Sequence, residues 1–287
     1  MIFLTFAIIF STINHLLFKA FARFNIDLLT AIVFNYFVCV IIGYGTSVEK
    51  LFQGSIFTQN WYIFSIIQGA LFAVSFFLMG RTTKKYGVAV TSLATRLAVA
   101  IPVVAAFFLY NDIISVTKIT GVLIALFALY LSCAGQENTP SVSKTKAFLP
   151  VFLFISFGMH STFIKFVQEN FLGSTSYSTY IMSSFLAALI LSGSILLWRV
   201  IMKKCICQWR DVAAGIILGC ANYGAIYFLI RALSVPGWES SQLFPTISIS
   251  IVILSSLGAR IFFREQISRK ILLSLVIGIG AIVLVNM

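Results

Sequence analysis

Two short stretches of this chain, Ser65–Gly69 (SIIQG) and Gly215–Gly219 (GIILG), repeat one pattern of small and apolar residues about 150 positions apart. The chain therefore contains a long internal repeat, which we expect to divide it into residues 1–135 and 147–287, joined by a loop at 136–146. Similar spacings relate further pairs: Arg81 with Arg231, Gly87 with Gly237, and, with about three residues inserted, Asp112–Ser115 with Glu265–Ser268.

The composition indicates a membrane protein. Of the 287 residues, 60% are hydrophobic and 10% are charged, whereas soluble domains average about 25% charged residues. Apolar runs of about 18–25 residues are long enough to cross a hydrocarbon core of roughly 30 Å as helices, and they lack the alternation of outer-membrane strands. We predict an all-α integral membrane protein with ten transmembrane helices, at residues 2–21, 28–44, 61–80, 87–109, 116–134, 147–168, 175–201, 211–233, 238–260 and 268–286.

Five spans in each half have a topological consequence. Because five is odd, the second half enters the membrane in the opposite sense to the first, so we predict two inverted five-helix repeats. Inverted repeats are typical of secondary transporters, which place their substrate near the midplane between the halves. The predicted connections are short, so no soluble catalytic, sensor or nucleotide-binding domain is expected.

The net charge of +12 has a membrane explanation. The basic residues flank apolar spans, so lipid headgroups and topology account for them, and no nucleic-acid partner is expected. Of five cysteines, Cys205 and Cys207 share a basic loop without a neighbouring histidine. Neither a zinc site nor a disulfide framework follows, and we expect no metal and no cofactor.

Loop charges predict the orientation. Fifteen of the 20 lysines and arginines fall in the loops after spans 1, 3, 5, 7 and 9. The positive-inside rule places these loops in the cytoplasm, so both termini should be non-cytoplasmic. The first span lacks a basic leader and a cleavage site, so we expect it to be retained. The expected location is the bacterial cytoplasmic (inner) membrane, with the multi-pass chain a monomer or homodimer.

Arg96 is the clearest candidate for substrate binding. We predict it near the middle of the fourth span, with Pro102 six residues later as a hinge. An ionisable group at bilayer depth costs roughly 2.5–3.5 kcal/mol on insertion scales and is therefore a functional candidate by default. The alternative is a structural arginine paired with a carboxylate or with helix-end carbonyls.

The first span carries a polar stripe. His15 and Lys19 are one turn apart on one helix face, and Asn14 lies beside them. Such a stripe should face the protein interior or a water-filled cavity, although snorkelling explains Lys19 equally well. In the sixth span we take His160 as a site candidate and Lys165 as an interfacial anchor.

The third and eighth spans combine packing and polar signals. Their matched small residues, four apart, favour close helix contact in lipid. Gln68 lies within the first pair and has Leu218 as its counterpart, so this polar residue breaks the symmetry and is a candidate for a cavity lining. Asn222 and Tyr223 give the eighth span a polar and aromatic face, which suits either a substrate or packing.

The ninth span opens with a second polar face. Glu239, Gln242 and Thr246 share one side of the helix, and Pro245 predicts a kink that frees backbone carbonyls. This face suits the lining of a polar cavity. Equally, Glu239 could serve as an acid at a helix N-terminus, where the helix dipole favours it.

The chain resembles the EamA-type branch of the drug/metabolite transporter superfamily over essentially all ten spans. The resemblance rests on the five-plus-five repeat, on Tyr86–Arg96 and its counterpart Gly237–Pro245, and on the acid-x-Ile-Ser turn before the last helix of each half. Trp238 departs from the family pattern, which has a small residue there. The resemblance implies proton-linked or facilitated movement of small metabolites, often amino acids or related compounds, and frequently outward.

Two carrier hypotheses follow. The first is an exporter of a small polar metabolite, such as an amino acid or organic anion, because Lys19, Arg96 and Lys165 lie at or near membrane depth. The second is a carrier of lipophilic drugs or cations, which Glu239 and the 29 phenylalanines permit. A membrane enzyme or sensor is a third class, but the chain has no hydrolase, metalloprotease or phosphate-loop motif, so we expect no enzyme. The expected partners are the lipid bilayer, a small-molecule substrate and, as a candidate coupling ion, protons.

The orientation is testable by cysteine labelling. In intact cells, single-cysteine variants that retain Cys205 or Cys207 should resist an impermeant maleimide and react after permeabilisation, because their loop is predicted to be cytoplasmic. A cysteine at Gln53, in a predicted external loop, provides the positive control. Labelling of Cys205 or Cys207 from outside would reverse the orientation.

Overall fold

The chain is an all-helical protein over the residues that its computed structural model describes. These are residues 2–47, 56–109, 115–134, 148–173, 176–202, 207–235, 237, 239–264 and 269–285. Within them there is no strand, so the all-α prediction is confirmed. The described helices are α1 (Ile2–Phe24), α2 (Leu28–Thr46), α3 (Tyr62–Leu97), α4 (Ala100–Leu109), α5 (Val116–Ala134), α6 (Phe148–Phe171), α7 (Tyr177–Ile201), α8 (Trp209–Leu233), α9 (Ser240–Phe263) and α10 (Arg269–Val285), with a 3₁₀ turn at Ile56–Thr58.

Seven helical segments in the described residues have the length and composition to cross a membrane. Three shorter apolar segments lie at Ala94–Phe108, Ile119–Ala128 and Leu272–Ala281. A helix rises about 1.5 Å per residue, so about 20 residues span the hydrocarbon core. The chain is therefore a multi-pass membrane protein, with long apolar helices at Ile2–Phe24, Leu28–Thr46, Tyr62–Thr83, Phe148–Phe171, Tyr177–Ile201, Trp209–Leu233 and Ser241–Phe263.

The polar segment between predicted spans 3 and 4 is helical. α3 continues through residues 81–86, where the sequence predicted a connection, and ends at Leu97. Charged residues are good helix formers and Gly87 weakens a helix by only about 1 kcal/mol, so nothing there forces a break. The break comes just before α4 instead. Pro102 explains it, because proline has no N–H and its ring clashes with the carbonyl four residues earlier.

This break changes the setting of Arg96. We predicted the residue near the middle of a span, and the structure places it in the last turn of α3. Its carbonyl accepts a hydrogen bond from the backbone N–H of Val99 at 3.4 Å, within the turn that joins α3 to α4. The C-terminal end of a helix carries partial negative charge, which favours a cation at this position.

The helices form two compact units. Unit 1 contains residues 1–77 and 163–234, and unit 2 contains residues 78–162 and 235–287. Each unit thus combines segments from both predicted halves of the chain. Compact units and sequence repeats are different divisions, so the boundaries 1–135 and 147–287 stay a prediction.

Small residues allow close helix packing in unit 1. A Cβ added to Gly219 of α8 would lie 2.7 Å from the carbonyl oxygen of Asn35 in α2, and one added to Gly215 would lie 2.5 Å from that of Ala31. Gly69 of α3 meets α7 in the same way, at the carbonyl oxygen of Ser184. The prediction that these glycines serve packing therefore agrees with their surroundings.

Unit 2 also has glycine contacts. A Cβ on Gly158 of α6 would lie 2.6 Å from the Cβ of Ile101 in α4, and one on Gly278 of α10 would lie 2.8 Å from Ile249 Cγ2 in α9. α5 packs against α10, and α4 packs against α9. In unit 2 the glycines therefore make room for isoleucine side chains of the neighbouring helix, whereas in unit 1 they admit its backbone carbonyls.

Some predicted features lie outside the described residues. These are the connecting loop 136–146, Cys205, Trp238, residues 112–114 of the first acid-x-Ile-Ser turn and all of the second turn at 265–268.

Glycine substitution tests the packing in unit 1. Gly219→Ala should lower the melting temperature of the detergent-solubilised protein by several degrees, because its Cβ meets backbone rather than a flexible side chain. Gly193→Ala is the matched control: this helical glycine has nothing within 4 Å of its added Cβ, so alanine should preserve or raise stability. Equal melting temperatures for Gly219→Ala and the unsubstituted protein would contradict the close approach.

Candidate functional site

The predicted site residues divide between the two units. Unit 1 holds the α1, α3 and α8 candidates, and unit 2 holds the α3, α6 and α9 candidates. The unit 1 set is Asn14, His15, Lys19, Gln68, Asn222 and Tyr223; the unit 2 set is Arg96, His160, Glu239 and Gln242.

The α1 stripe lies partly buried in unit 1. Asn14, His15 and Lys19 are each neither fully buried nor fully exposed. α1 packs against α8, where Phe10 stacks on Phe228 with ring centroids 5.7 Å apart. The prediction that this stripe lines an interior surface is compatible with these positions and stays a prediction.

Asn222 bridges two helices. Its amide nitrogen donates to Asn35 Oδ1 at 3.1 Å, and both residues are buried. Cys39 Sγ donates to the carbonyl oxygen of Gly219 at 3.3 Å beside them. A polar link between α2 and α8 thus passes through the point where Gly219 brings the two backbones together. In lipid such a link is worth about 0.6 kcal/mol on average and up to about 2 kcal/mol.

Tyr223 begins a polar and aromatic ladder along α8. Its hydroxyl shares a 2.6 Å hydrogen bond with Thr46 Oγ1 at the end of α2. One turn later, Tyr227 stacks on Tyr223 with centroids 6.0 Å apart and planes 14° apart. One turn further, Arg231 Nη2 donates to the Tyr227 hydroxyl at 3.0 Å. Three side chains on one face of α8 therefore form a continuous contact that ends in a guanidinium.

Arg231 lies within an aromatic cage. Its guanidinium carbon is 5.8 Å from the ring centroid of Phe3, 5.6 Å from that of Tyr177 and 5.4 Å from that of Tyr227. The rings come from α1, α7 and α8, so the cage exists only where three helices of unit 1 meet. Cation–π contacts of this kind contribute about 0.5–2 kcal/mol each, more when desolvated. Sequence reasoning missed this cage, because no spacing rule joins Phe3 and Tyr177 to Arg231.

Buried polar atoms without partners lie on neighbouring helix ends. Among the described residues, the indole N–H of Trp61 and the hydroxyls of Thr179, Tyr180 and Ser183 make no hydrogen bond. Each residue is 5% exposed or less. Trp61 packs edge-on against Tyr180, with centroids 6.1 Å apart. A buried polar group without a partner costs about 1–3 kcal/mol, so a group of them indicates a place that water or a ligand completes.

Tyr180 and its neighbours share a helix end with the cage. Tyr177 stands one turn before Tyr180 on α7 and donates its hydroxyl to Ser234 Oγ at 2.7 Å.

Gln68 and Tyr36 are buried elsewhere in unit 1. Gln68 is 1% exposed on α3, beside the glycine that contacts α7. Tyr36 of α2 is fully buried among the rings of Phe72, Phe76 and Phe185, and its hydroxyl has no hydrogen-bond partner among the described residues. Polar groups thus occur inside the apolar core of unit 1 as well as at its end.

The unit 2 candidates lie at a helix break, inside α6 and at a helix start. His160 contacts the ring of Phe157 edge-on, at 6.4 Å between centroids. Glu239 is the N-cap residue of α9, and its carboxylate accepts a hydrogen bond from Ser241 Oγ at 3.3 Å. Gln242 follows one turn on, and α9 continues through Pro245. The N-cap position fits the structural alternative for Glu239, since helix N-termini favour acids.

Lys165 has a carboxylate partner. Its Nζ donates to Glu169 Oε2 at 2.6 Å and to Gln168 Oε1 at 3.1 Å. The side chain is buried, whereas that of Glu169 is half-exposed. Lys165 is therefore neutralised by its own helix and contributes less to anion binding than its membrane depth suggested.

A second polar network joins the opposite helix ends of unit 1. Asp27 caps α2 by accepting from the Thr30 backbone N–H at 3.0 Å, and Arg199 Nη1 lies 3.6 Å from Asp27 Oδ1. The backbone N–H of Asp27 donates to the buried carboxylate of Asp211 at 3.0 Å. This network fixes the starts of α2 and α8 and has the contacts of a structural element. Among the described residues, no group of three or more His, Cys, Asp or Glu is placed to hold a metal ion.

Comparisons with known proteins support the fold only. No family sequence profile matches the chain. It is 28% identical to an uncharacterized protein of Haemophilus influenzae, over 97% of this chain and 95% of that protein. A solved crystal structure of a protein superposes with a TM-score of 0.75 at 16% identity, over 99% of this chain and 94% of the other. At that identity the likeness concerns the fold alone, and the EamA-type resemblance stays a prediction.

The Asn222 bridge gives a stability prediction. Asn222→Ala leaves the buried Asn35 oxygen without its amide donor and should lower the stability of the purified protein by about 1–3 kcal/mol. The double variant with Asn35→Ala should lose less than the sum of the single variants, because both remove one interaction. Thermal melts in detergent measure both quantities.

Asn170→Ala is the control for this cycle. Asn170 is exposed at the end of α6 and donates to the Phe166 carbonyl at 2.8 Å, so its removal should change the melting temperature little. Additive effects of the two α2–α8 substitutions would show that the bridge is not coupled.

Proposed function

We propose that the chain is a secondary transporter with ten membrane-crossing helices, arranged as two inverted five-helix repeats, that moves a small polar metabolite bearing a carboxylate or other anionic group. The proposed mechanism is alternating access around a substrate held within the helix bundle, with export as the expected direction. The supporting observations concern the packing symmetry and the buried polar groups of unit 1.

Paired glycine contacts carry the repeat proposal. Gly69 packs on Ser184 and Ala187 of α7, and Gly219 packs on Asn35 and Val38 of α2. The glycines are 150 positions apart, and each pair of partners, Asn35 with Ser184 and Val38 with Ala187, is 149 apart. The second contact thus repeats the first with nearly the same displacement along the sequence. A repeated fold unit produces such equivalent contacts, whereas two unrelated halves would not be expected to share them.

Contacts between equivalent helices point the same way. α2 packs with α7, α4 with α9 and α5 with α10, so these three helices each meet the helix five positions later. Tyr36 and Phe185, also 149 positions apart, are in ring contact at 5.7 Å. Residues related by a two-fold axis meet their own equivalents near that axis. These contacts support a pseudo-two-fold relation between the halves.

A reconstituted uptake assay tests the function. The purified chain in liposomes should accelerate movement of at least one compound from a panel of labelled amino acids and organic acids, and a pH gradient should alter the rate if protons are coupled. Protein-free liposomes provide the baseline. No movement above that baseline for any compound would contradict transport, and movement of lipophilic cations alone would favour the alternative carrier.

Arg96 is predicted to bind the anionic part of the cargo in unit 2. A planar guanidinium pairs with a carboxylate through two parallel hydrogen bonds, which lysine does not reproduce. Arg96→Gln should therefore lower transport, or raise the half-saturation concentration, by about tenfold, with Arg96→Lys intermediate.

Membrane insertion and thermal stability of both Arg96 variants should stay near those of the unsubstituted protein. Arg260→Gln, at an exposed arginine near the end of α9, controls for loss of one positive charge. Normal transport by Arg96→Gln, or failure of that variant to insert, would show that Arg96 is structural.

A further inference from the structure

We propose that Arg231 and its aromatic cage form a second carboxylate-binding site, in unit 1, that takes small carboxylates carrying an apolar or aromatic group. The inference rests on the proposed transport function for its physiological role. The binding itself is argued from unit 1 alone and is testable without transport.

The guanidinium has unused donors. Arginine carries five N–H donors, and among the described residues Arg231 makes one hydrogen bond, through Nη2 to Tyr227. Its Nε is buried and has no hydrogen-bond partner there. No carboxylate in the described part of the chain forms an ion pair with it. Arg231 as a whole is half-buried, but its Nε–H is enclosed without an acceptor. A buried donor left unsatisfied is costly, so an anionic ligand that pairs with this edge of the guanidinium stabilises the folded protein.

The cage determines which ligand geometry fits. The rings of Phe3, Tyr177 and Tyr227 lie 5.4–5.8 Å from the guanidinium carbon of Arg231. Cation–π attraction to these rings holds the guanidinium in place. The donors of a guanidinium lie in its plane, and a carboxylate pairs with two adjacent ones. The hydrogen bond to Tyr227 fixes the position of Nη2. The neighbouring Nε–H has no partner among the described residues and is an in-plane donor that a carboxylate can use.

The surroundings favour a ligand that is part apolar. The three cage rings provide aromatic surface, which stacks well on another ring. Beyond Tyr177 on α7, the buried hydroxyls of Thr179, Tyr180 and Ser183 and the Trp61 N–H have no partners in the described residues. Of these residues, Tyr180 follows Tyr177 by three positions and so lies nearest to its face of the helix, where its hydroxyl is the first candidate donor or acceptor for a polar substituent or for water. A small aromatic or branched-chain carboxylate combines these features.

A structural role for Arg231 is the competing explanation. Arg231 stands in the last turn of α8, where a cation interacts favourably with the helix dipole. In that role it needs its positive charge and its ring contacts but no ligand. The two roles differ in one measurable property, because only a binding site responds to the charge of an added small molecule.

Three aromatic probes of similar size separate the roles: benzoate, benzamide and benzylamine, which is cationic at neutral pH. In detergent, benzoate should raise the melting temperature of the purified chain in a concentration-dependent way, as expected for a ligand that binds the folded state. Benzamide and benzylamine should stabilise it much less. Equal stabilisation by benzoate and benzamide would overturn the proposal.

Substitutions locate the effect. Arg231→Gln should lower benzoate affinity at least about tenfold, and Arg231→Lys should restore part of it. Arg210→Gln, at an exposed arginine in the first turn of the same helix, should bind benzoate normally. Unchanged benzoate binding by a folded Arg231→Gln would overturn the proposal.

A milder variant covers the case in which Arg231→Gln does not fold. Tyr227→Phe keeps the ring of the cage and removes the hydroxyl that orients Nη2, so benzoate affinity should fall several-fold with the fold intact. Unchanged affinity in Tyr227→Phe would contradict the proposed geometry.

Failure of this site and failure of transport give different results. If no compound moves in liposomes but benzoate stabilises the protein through Arg231, the transport proposal fails and the site remains. If carboxylates are transported but Arg231→Gln binds benzoate as well as the unsubstituted protein does, the site proposal fails and the transport proposal remains.

Discussion

Close approach of helix backbones is the constraint on which the described packing depends. In lipid, apolar side chains gain little by leaving their surroundings, so helices associate through van der Waals contact and a few polar links. Gly215 and Gly219 let α8 contact the carbonyls of α2, and Gly69 does the same for α3 on α7. The Asn35–Asn222 hydrogen bond adds a directional link at the same α2–α8 contact.

That close packing has a consequence for polar groups. Where helices meet closely, a buried polar atom needs a partner from a neighbouring side chain, from water or from a ligand, because leaving it unpaired is costly. Unit 1 contains several such atoms at one set of helix ends, around Arg231 and the start of α7. Their cost motivates the proposal that a polar molecule binds there. The neutralised Lys165 shows the contrasting arrangement, in which a cation is satisfied within its own helix.

Features that depend on the residues of a single helix could be predicted from the sequence more fully than features that depend on contacts between helices. The length and apolar character of the helices and the packing role of Gly69 and Gly219 were predictable, because each depends on local composition and on spacing along one helix. The continuation of α3 through residues 81–86 was not predicted. We interpreted the charged residues of this segment as a loop, although the segment contains no proline that would end a helix. Pro102, which we predicted as a hinge, lies just after the break between α3 and α4, and its steric clash accounts for the position of that break just beyond Arg96.

The sequence by itself determined that this chain is an all-α, multi-pass membrane protein. Its apolar runs are long enough to cross the bilayer, where water is absent, and a helix forms the hydrogen bonds of its backbone within the segment itself. It also indicated a two-fold repeat and marked Arg96, His15 and Glu239 as unusual. Only the tertiary structure decided which polar residues meet. The cage of Arg231 joins residues from positions 3, 177 and 227, and such contacts arise from how α1, α7 and α8 pack, which no pattern within one helix encodes.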